Sequence, residues 1–156
     1  MISRQGKGNG NVMIEGDSIK LLRECDAGVK MGVASMEDMI GYIHDDMLRQ
    51  SLTEYKAEHI RLEDEIRTLL HEYHDEGKEP NPMAKGMSWM KTNVRLVMDE
   101  SDQTIADLMT DGCNMGIKSL HKYLNQYQAA DEKSKDIAQQ IINLEEKLTR
   151  DMQKYL

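Results

Sequence analysis

The five histidines are the first residues to examine for metal chemistry. A Glu three residues before a His places both side chains on the same face of a helix, one turn apart, where they bind one pair of cations. The histidines are His44, His59, His71, His74 and His121, and the residues three positions before them are Gly41, Lys56, Thr68, His71 and Lys118. The sequence therefore contains no Glu-x-x-His motif, which argues against a di-iron centre.

Two polar residues interrupt rows of apolar residues spaced three and four apart. Asp26 lies in the row from Ile19 to Ile43, and His59 lies in the row from Leu48 to Tyr73. If a turn lies near residue 44, Asp26 is 18 residues before it and His59 is 15 after it. The two side chains then differ in level by about 4.5 Å along the helix axis. We predict that they form a buried ion pair, with contact within roughly 4 Å, directly or through one water.

The three-four spacing of apolar residues predicts four long helices and no strand. The first helix is capped by Asp17 or Ser18 and ends at a turn over residues 41–46, which keeps the domain compact. Gly77, Pro80 and Pro82 end the second helix. The third covers about 102–127 after the cap Ser101, and the fourth follows the cap Asp131. Residues 1–16 have no apolar period and predict a flexible N-terminal arm, so that the bundle comprises residues 17–156.

A long connection separates the second and third helices. Residues 77–101 predict a short helix of their own over about 83–99, with Met83, Met87, Met90 and Val94 on one side. A simple up-and-down bundle needs only short loops, whereas this length allows the chain to cross from one end of the bundle to the other. We therefore predict that the second and third helices are parallel.

Residues 17–156 resemble the ferritin-like superfamily, and within it an uncharacterised bacterial branch known only as a domain of unknown function. The resemblance rests on the helix order, on Trp89-Met90-Lys91 in the connection and on Gly112 in the third core helix. It implies an all-α, ferritin-like four-helix bundle with a long crossover, including a short extra helix, between core helices 2 and 3.

The resemblance also implies a layer of metal ligands, which here would comprise Asp26, His59, Cys113 and Glu145. This layer departs from the family pattern. Lys56 stands where a glutamate would precede His59, and Gly112 is followed by Cys113 and Asn114 instead of two acidic residues. The lost carboxylates argue against oxidase and iron-storage activity. We predict no cofactor; the alternative is a single transition metal, Zn or Fe, held by the altered ligands.

Composition excludes several classes of function. The net charge of −8 argues against nucleic acid and anionic membranes as partners, since both select for a basic face. No apolar run is long enough to span a membrane. The two cysteines are too few for a disulfide framework, which favours a reducing, cytoplasmic location. The 13 methionines in a chain without phenylalanine are typical of core packing, with Cu(I) binding as the alternative.

These patterns favour a non-catalytic structural or interaction module that forms a homo-oligomer. A second apolar row on the first helix, Leu21, Cys25 and Met39, exceeds what one bundle core needs. The glycine pairs Gly28/Gly32 and Gly112/Gly116 indicate close helix approach or room for a large neighbour, or else a small cavity. The alternative function is a metal-binding or redox protein with a modified mononuclear site in the core.

Overall fold

The computed structural model describes the backbone of residues 3–78 and 98–156, and the side chains of residues 10–78 and 98–156. The helices are α1 (Ser3–Ile40), α2 (Asp46–Glu72), α3 (Asp102–Gln126) and α4 (Glu132–Met152), followed by a 3₁₀ turn (Gln153–Tyr155). No strand occurs in these two ranges. The prediction of an all-α four-helix bundle is therefore confirmed. The predicted short helix over about 83–99 lies outside the described residues, except for its last two positions.

The predicted turn and two of the predicted caps are confirmed. α1 ends at Ile40, and Asp45 caps α2 by accepting a hydrogen bond from Leu48 N at 2.8 Å. Ser101 and Asp131 cap α3 and α4 by accepting from the backbone N–H groups three residues on, at 3.1 and 2.7 Å. Each cap satisfies one of the N–H groups that the first turn of a helix leaves without an intrahelical partner.

The first helix begins earlier than its sequence predicts. α1 starts at Ser3, so the segment expected to be an irregular arm is helical from that residue onward. The expected caps Asp17 and Ser18 have another role. Their side-chain oxygens accept hydrogen bonds from Ala129 N at 3.0 Å and Asp131 N at 2.8 Å, before the start of α4. Because these oxygens accept from the backbone before α4, Asp17 and Ser18 do not cap the N-terminus of α1. The flexibility of residues 1–16 stays a prediction.

Contacts at the two ends of the bundle establish the helix directions. The N–H groups of His44 and Asp45, just before α2, donate to the carboxylate of Asp102 at the start of α3, at 2.8 and 3.0 Å. At the other end, Lys78, six residues after α2, lines the same surface depression as Tyr127, the residue that ends α3. These contacts indicate that α2 and α3 run in the same direction, and a long loop separates the two helices in the sequence.

The core consists of two apolar clusters, one towards each end of the bundle, and all four helices contribute to both. The first cluster includes Leu22 of α1 and Ile66 of α2, which are fully buried, together with residues of α3 and of the first half of α4. The second cluster contains four methionines, which therefore serve core packing: Met36, Met39, Met109 and Met152.

The second apolar row of α1 is part of this core. Leu21 and Cys25 are buried in the first cluster and Met39 in the second, all within one chain. The inference that this row exceeds the needs of one bundle core is therefore wrong. In a four-helix bundle each helix contacts more than one neighbour, so more than one row of its residues becomes buried.

Candidate functional site

The core contains a few buried polar side chains, His59, Glu145 and Asp26, which we call the polar layer. His59 is its central residue. It is 1% exposed, and its Nδ1 lies 2.6 Å from the Tyr55 carbonyl oxygen one turn earlier in α2. Since a carbonyl oxygen can only accept, Nδ1 carries the hydrogen and donates it. This bond fixes the orientation of the ring and directs Nε2 across the bundle towards α4.

Glu145 of α4 is the acidic partner of His59. Its Oε1 lies 3.9 Å from His59 Nε2. This distance is too long for a direct hydrogen bond but short enough for electrostatic attraction when the imidazole is protonated. Its Oε2 is buried and accepts no hydrogen bond from the described residues. A buried carboxylate oxygen without a donor is costly, and His59 Nε2 is the ionisable group placed nearest to offset that cost.

Two glycines make room for this pair. A Cβ at Gly32 of α1 would lie 3.3 Å from His59 Cδ2, and a Cβ at Gly116 of α3 would overlap the Glu145 carboxylate. Their partners in the sequence pattern, Gly28 and Gly112, have no described atom within 4 Å of such a Cβ. One glycine of each pair therefore accommodates a large neighbour, as predicted, and that neighbour is a polar residue of the buried layer.

The two cysteines lie close to this layer and are held as thiols. Burial raises the pKa of the Cys113 thiol far above its ordinary value, and the Glu145 carboxylate raises it further. Burial raises the pKa of Cys25 to about 12, and the charges of Glu24, Asp26 and Glu145 add to the effect. Because the thiolate is both the nucleophile and the metal ligand, neither residue is activated for such chemistry at neutral pH.

Asp26 is also buried, but different groups hold it. Its Oδ2 accepts hydrogen bonds from Lys30 Nζ at 2.8 Å and from Lys78 N at 3.1 Å. Gly77 reaches this position with a φ of +90°, and a Cβ there would lie 2.5 Å from Asp26 Oδ2. Glycine is required on both counts. The neighbouring ion pair of Lys78 Nζ with Glu24, at 2.6 Å, helps to fasten the chain after α2 onto α1.

The predicted direct Asp26–His59 ion pair is therefore wrong, while a contact through one water molecule stays a prediction. No hydrogen bond or ion pair within 4 Å joins these two described residues; each has a different charged partner, Lys30 for Asp26 and Glu145 for His59. Counting residues from the turn gives the level of a side chain along the helix axis. It does not give the direction in which the side chain points around that axis, and a helix in a bundle has several neighbours.

The four predicted metal ligands are only partly brought together. His59 and Glu145 face each other, Cys113 lies near Glu145, and Asp26 is bound by Lys30 and Lys78. Among the residues that the structure describes, no three His, Cys, Asp or Glu side chains are grouped so that they could hold a metal ion. A di-iron centre needs several carboxylates around two cations, so the residues present do not fit it.

Lys30, Gly116 and the backbone of Lys78 were not assigned to this layer from the sequence. Lys30 had a signal, because it follows Asp26 by four residues on one helix face, the spacing of a helical ion pair. Gly116 had a weaker signal in its spacing from Gly112. The backbone N–H of Lys78 had none, since nothing in the sequence relates it to a residue 52 positions away.

The described surface of the bundle has shallow depressions. Two depressions of about 560 and 290 Å³ lie on the outside of the bundle. The smaller one is lined by Lys20, Arg23, Glu24, Lys78 and Tyr127, beside the position where Asp26 is bound. Within the described ranges, no helix has both the length and the apolar character needed to cross a membrane.

Comparison of the chain with protein-family models, with curated proteins and with solved structures gives no match in any of the three. The four-helix all-α bundle therefore rests on the helices of the structure itself.

Proposed function

We propose that this chain is a ferritin-like bundle in which packed protein side chains take the place of the metal layer, and that it serves as a non-catalytic structural or interaction module. The parallel direction of α2 and α3 and the end-to-end connection over 73–101 support the ferritin-like topology. The proposal also includes self-association and no nucleic-acid partner, the latter from the net charge of −8.

The observation that carries the proposal is the closed packing around His59 and Glu145. The imidazole is 1% exposed and lies against Gly32, while the carboxylate occupies the space beside Gly116. In this arrangement the His59 imidazole lies beside the Glu145 carboxylate, where a ferritin-like site would hold a metal cation. A buried pair of this kind contributes little net stability but favours one helix register over others.

The test is metal analysis of protein purified without chelator, followed by thermal unfolding with and without EDTA and added Zn²⁺ or Fe²⁺. We expect less than about a tenth of an equivalent of transition metal and no change in Tm on chelation. The matched variants are Glu145→Gln in the layer and Glu146→Gln beside it. About one equivalent of metal that Glu145→Gln loses and Glu146→Gln retains would overturn the proposal.

One observation favours the alternative, a metal-binding or redox protein with a mononuclear site. Glu145 Oε2 is buried without a hydrogen-bond donor among the described residues, and His59 Nε2 faces the same carboxylate. Imidazole and carboxylate together are a donor pair that Zn²⁺ and Fe²⁺ accept. The metal analysis above decides between the two functions, because only the alternative predicts stoichiometric metal that depends on Glu145.

A further inference from the structure

The two ends of the bundle expose apolar side chains of different kinds. At one end, α1 extends beyond the bundle: residues 3–16 precede Asp17 and Ser18, the first described side chains of α1 that bond to another helix or its cap. This segment, which we call the extension, contains 14 of the 38 residues of α1, a length of about 21 Å. All residues from Gly10 to Glu15 are exposed.

The extension is poorly suited to remain uncovered. Val12 is 69% exposed, Met13 63% and Ile14 42%. Three successive residues of a helix point in three directions, so apolar groups surround more than half of its circumference. The segment also contains glycine at four positions, 6, 8, 10 and 16, and each costs a helix about 1 kcal/mol relative to alanine. A helix end of this composition that packs against no other helix needs a partner to stabilise it.

The opposite end of the bundle carries the second exposed apolar group, which we call the acidic end. It comprises the α1–α2 turn, residues 98–103 and the last residues of the described chain. Hydrogen bonds of Asp102 to His44 N and Asp45 N, and of Gln103 Nε2 to the Leu156 carbonyl, hold these segments together. The exposed apolar side chains are Tyr42, Met47, Met98 and Leu156. Methionine is flexible, which suits it to adapt to a partner.

The charges of the two ends are opposite. Residues 37–47, 98–103 and 153–156 together contain one basic residue, Lys154, and seven acidic residues: Glu37, Asp38, Asp45, Asp46, Asp99, Glu100 and Asp102. One of these acids, Asp46, is paired with Arg49. The extension contains Arg4 and Lys7 and a single acid, Glu15. It is thus a net positive segment of a chain whose net charge is −8. Complementary charges guide association and determine its orientation.

We propose that the extension of one copy of this chain docks on the acidic end of a second copy. The inference rests on the proposed role as an interaction module and names its partner. Because the two surfaces differ and lie at opposite ends, the contact is head-to-tail and leaves one free surface of each kind. Such an interface continues from copy to copy unless the rotation closes a ring. The extension is small compared with a standard interface of about 800 Å² per partner, so the association is weak and reversible.

The test uses sedimentation velocity and light scattering over a range of concentrations, at low and high salt. Wild-type protein is expected to increase in mass with concentration and to dissociate as salt is raised. Two variants each block one surface: Val12→Glu with Ile14→Glu on the extension, and Met47→Glu with Met98→Glu at the acidic end. Each alone should weaken association by at least about tenfold. Met115→Glu, at a 70% exposed residue of α3, is the matched control and should leave association unchanged.

Mixing the two blocked variants gives the decisive result. Each retains the surface that the other lacks, so a 1:1 mixture should form a dimer that does not grow further. Recovery in the mixture also shows that both variants are folded. A monomeric wild type, continued dimerisation of the variant blocked at the acidic end, or no recovery in the mixture would each overturn the proposal. None of these results affects the metal content, so failure here is distinct from failure of the proposed metal-free layer.

Discussion

Asp26 and Glu145 are both buried carboxylates on parallel helices, but the protein stabilises them in different ways. One oxygen of Asp26 accepts two hydrogen bonds, from Lys30 on its own helix and from the backbone of Lys78. Glu145 has the imidazole of His59 as a neighbour 3.9 Å away and one oxygen without a donor among the described residues. Asp26 thus lies near the surface, where the backbone after α2 contacts it. Glu145 lies deeper, where its described neighbours are core residues of other helices. The burial of a carboxylate therefore does not by itself identify its partner or its role.

The largest effect is expected at the Glu145 position. His59→Leu leaves a buried carboxylate without its counter-charge and should lower the free energy of unfolding by about 3 kcal/mol. Adding Glu145→Leu removes that charge, so the double variant should be much less destabilised than the sum of the single variants. Urea unfolding followed by circular dichroism measures this, with His121→Leu at an exposed position as control. Additive effects of the two substitutions would show that the pair is not coupled.

A smaller effect on the free energy of unfolding is expected at Asp26. When its carboxylate is removed, the Lys30 ammonium and the Lys78 N–H can bond to water instead. Asp26→Ala removes the acceptor of two hydrogen bonds and should cost about 1–3 kcal/mol. It should also release the chain at Lys78, so that trypsin cleaves after this residue faster than in wild-type protein. Asp26→Asn retains an acceptor and should change both quantities less. Cleavage at Lys78 that is equally fast in Glu145→Gln would remove the distinction between the two carboxylates.

Asp131 provides a third carboxylate that is partly exposed and fully hydrogen-bonded. Burial opposes its ionisation, but hydrogen bonds from Tyr73 and Ser134 outweigh burial and lower its pKa. A carboxylate with a lowered pKa in the folded state stabilises the protein above its unfolded pKa of about 3.9, and this stability is lost as the pH falls through the folded value.

Replacement of Asp131 by alanine should therefore cost about 1 kcal/mol at pH 7, typical of a lost N-cap, and less at about pH 2–3. Chemical unfolding at a series of pH values measures the difference, with Asp136→Ala, an exposed residue of the same helix, as control. A cost that stays constant over this range would mean that the ionised carboxylate is not what stabilises the helix start.

The smallest effects are expected from glycines near the layer. Gly112→Ala adds a methyl group where no described atom lies within 4 Å and should stabilise the protein by about 0.5–1 kcal/mol. Gly116→Ala, one turn later, has the same helix-propensity gain but displaces the Glu145 carboxylate, so a net loss is expected. Thermal unfolding of the two variants compares them directly. Stabilisation by both would indicate that Glu145 moves aside freely.

The sequence contained enough information for the helices but not for the partners in the core. The apolar spacing predicted four helices, and the caps Ser101 and Asp131 were identified because capping depends on residues close in sequence. The level of His59 and Glu145 also followed from counting residues. Their pairing did not, because it depends on rotation about each helix axis. The start of α1 was missed for a similar reason: Ser18 bonds to Asp131 N, 113 residues away.

The polar layer between the two apolar clusters should also affect how the helices open locally. Apolar packing is continuous within each cluster, whereas the region between them contains His59, Glu145 and the glycines beside them, with Leu144 packed against both clusters. Regions joined by few apolar contacts open in separate cooperative steps, at free energies below that of global unfolding. Amide hydrogens of the same helix should therefore exchange in two groups, divided near residue 59 in α2 and residue 145 in α4. The bundle then behaves as two stacked units that share four continuous helices.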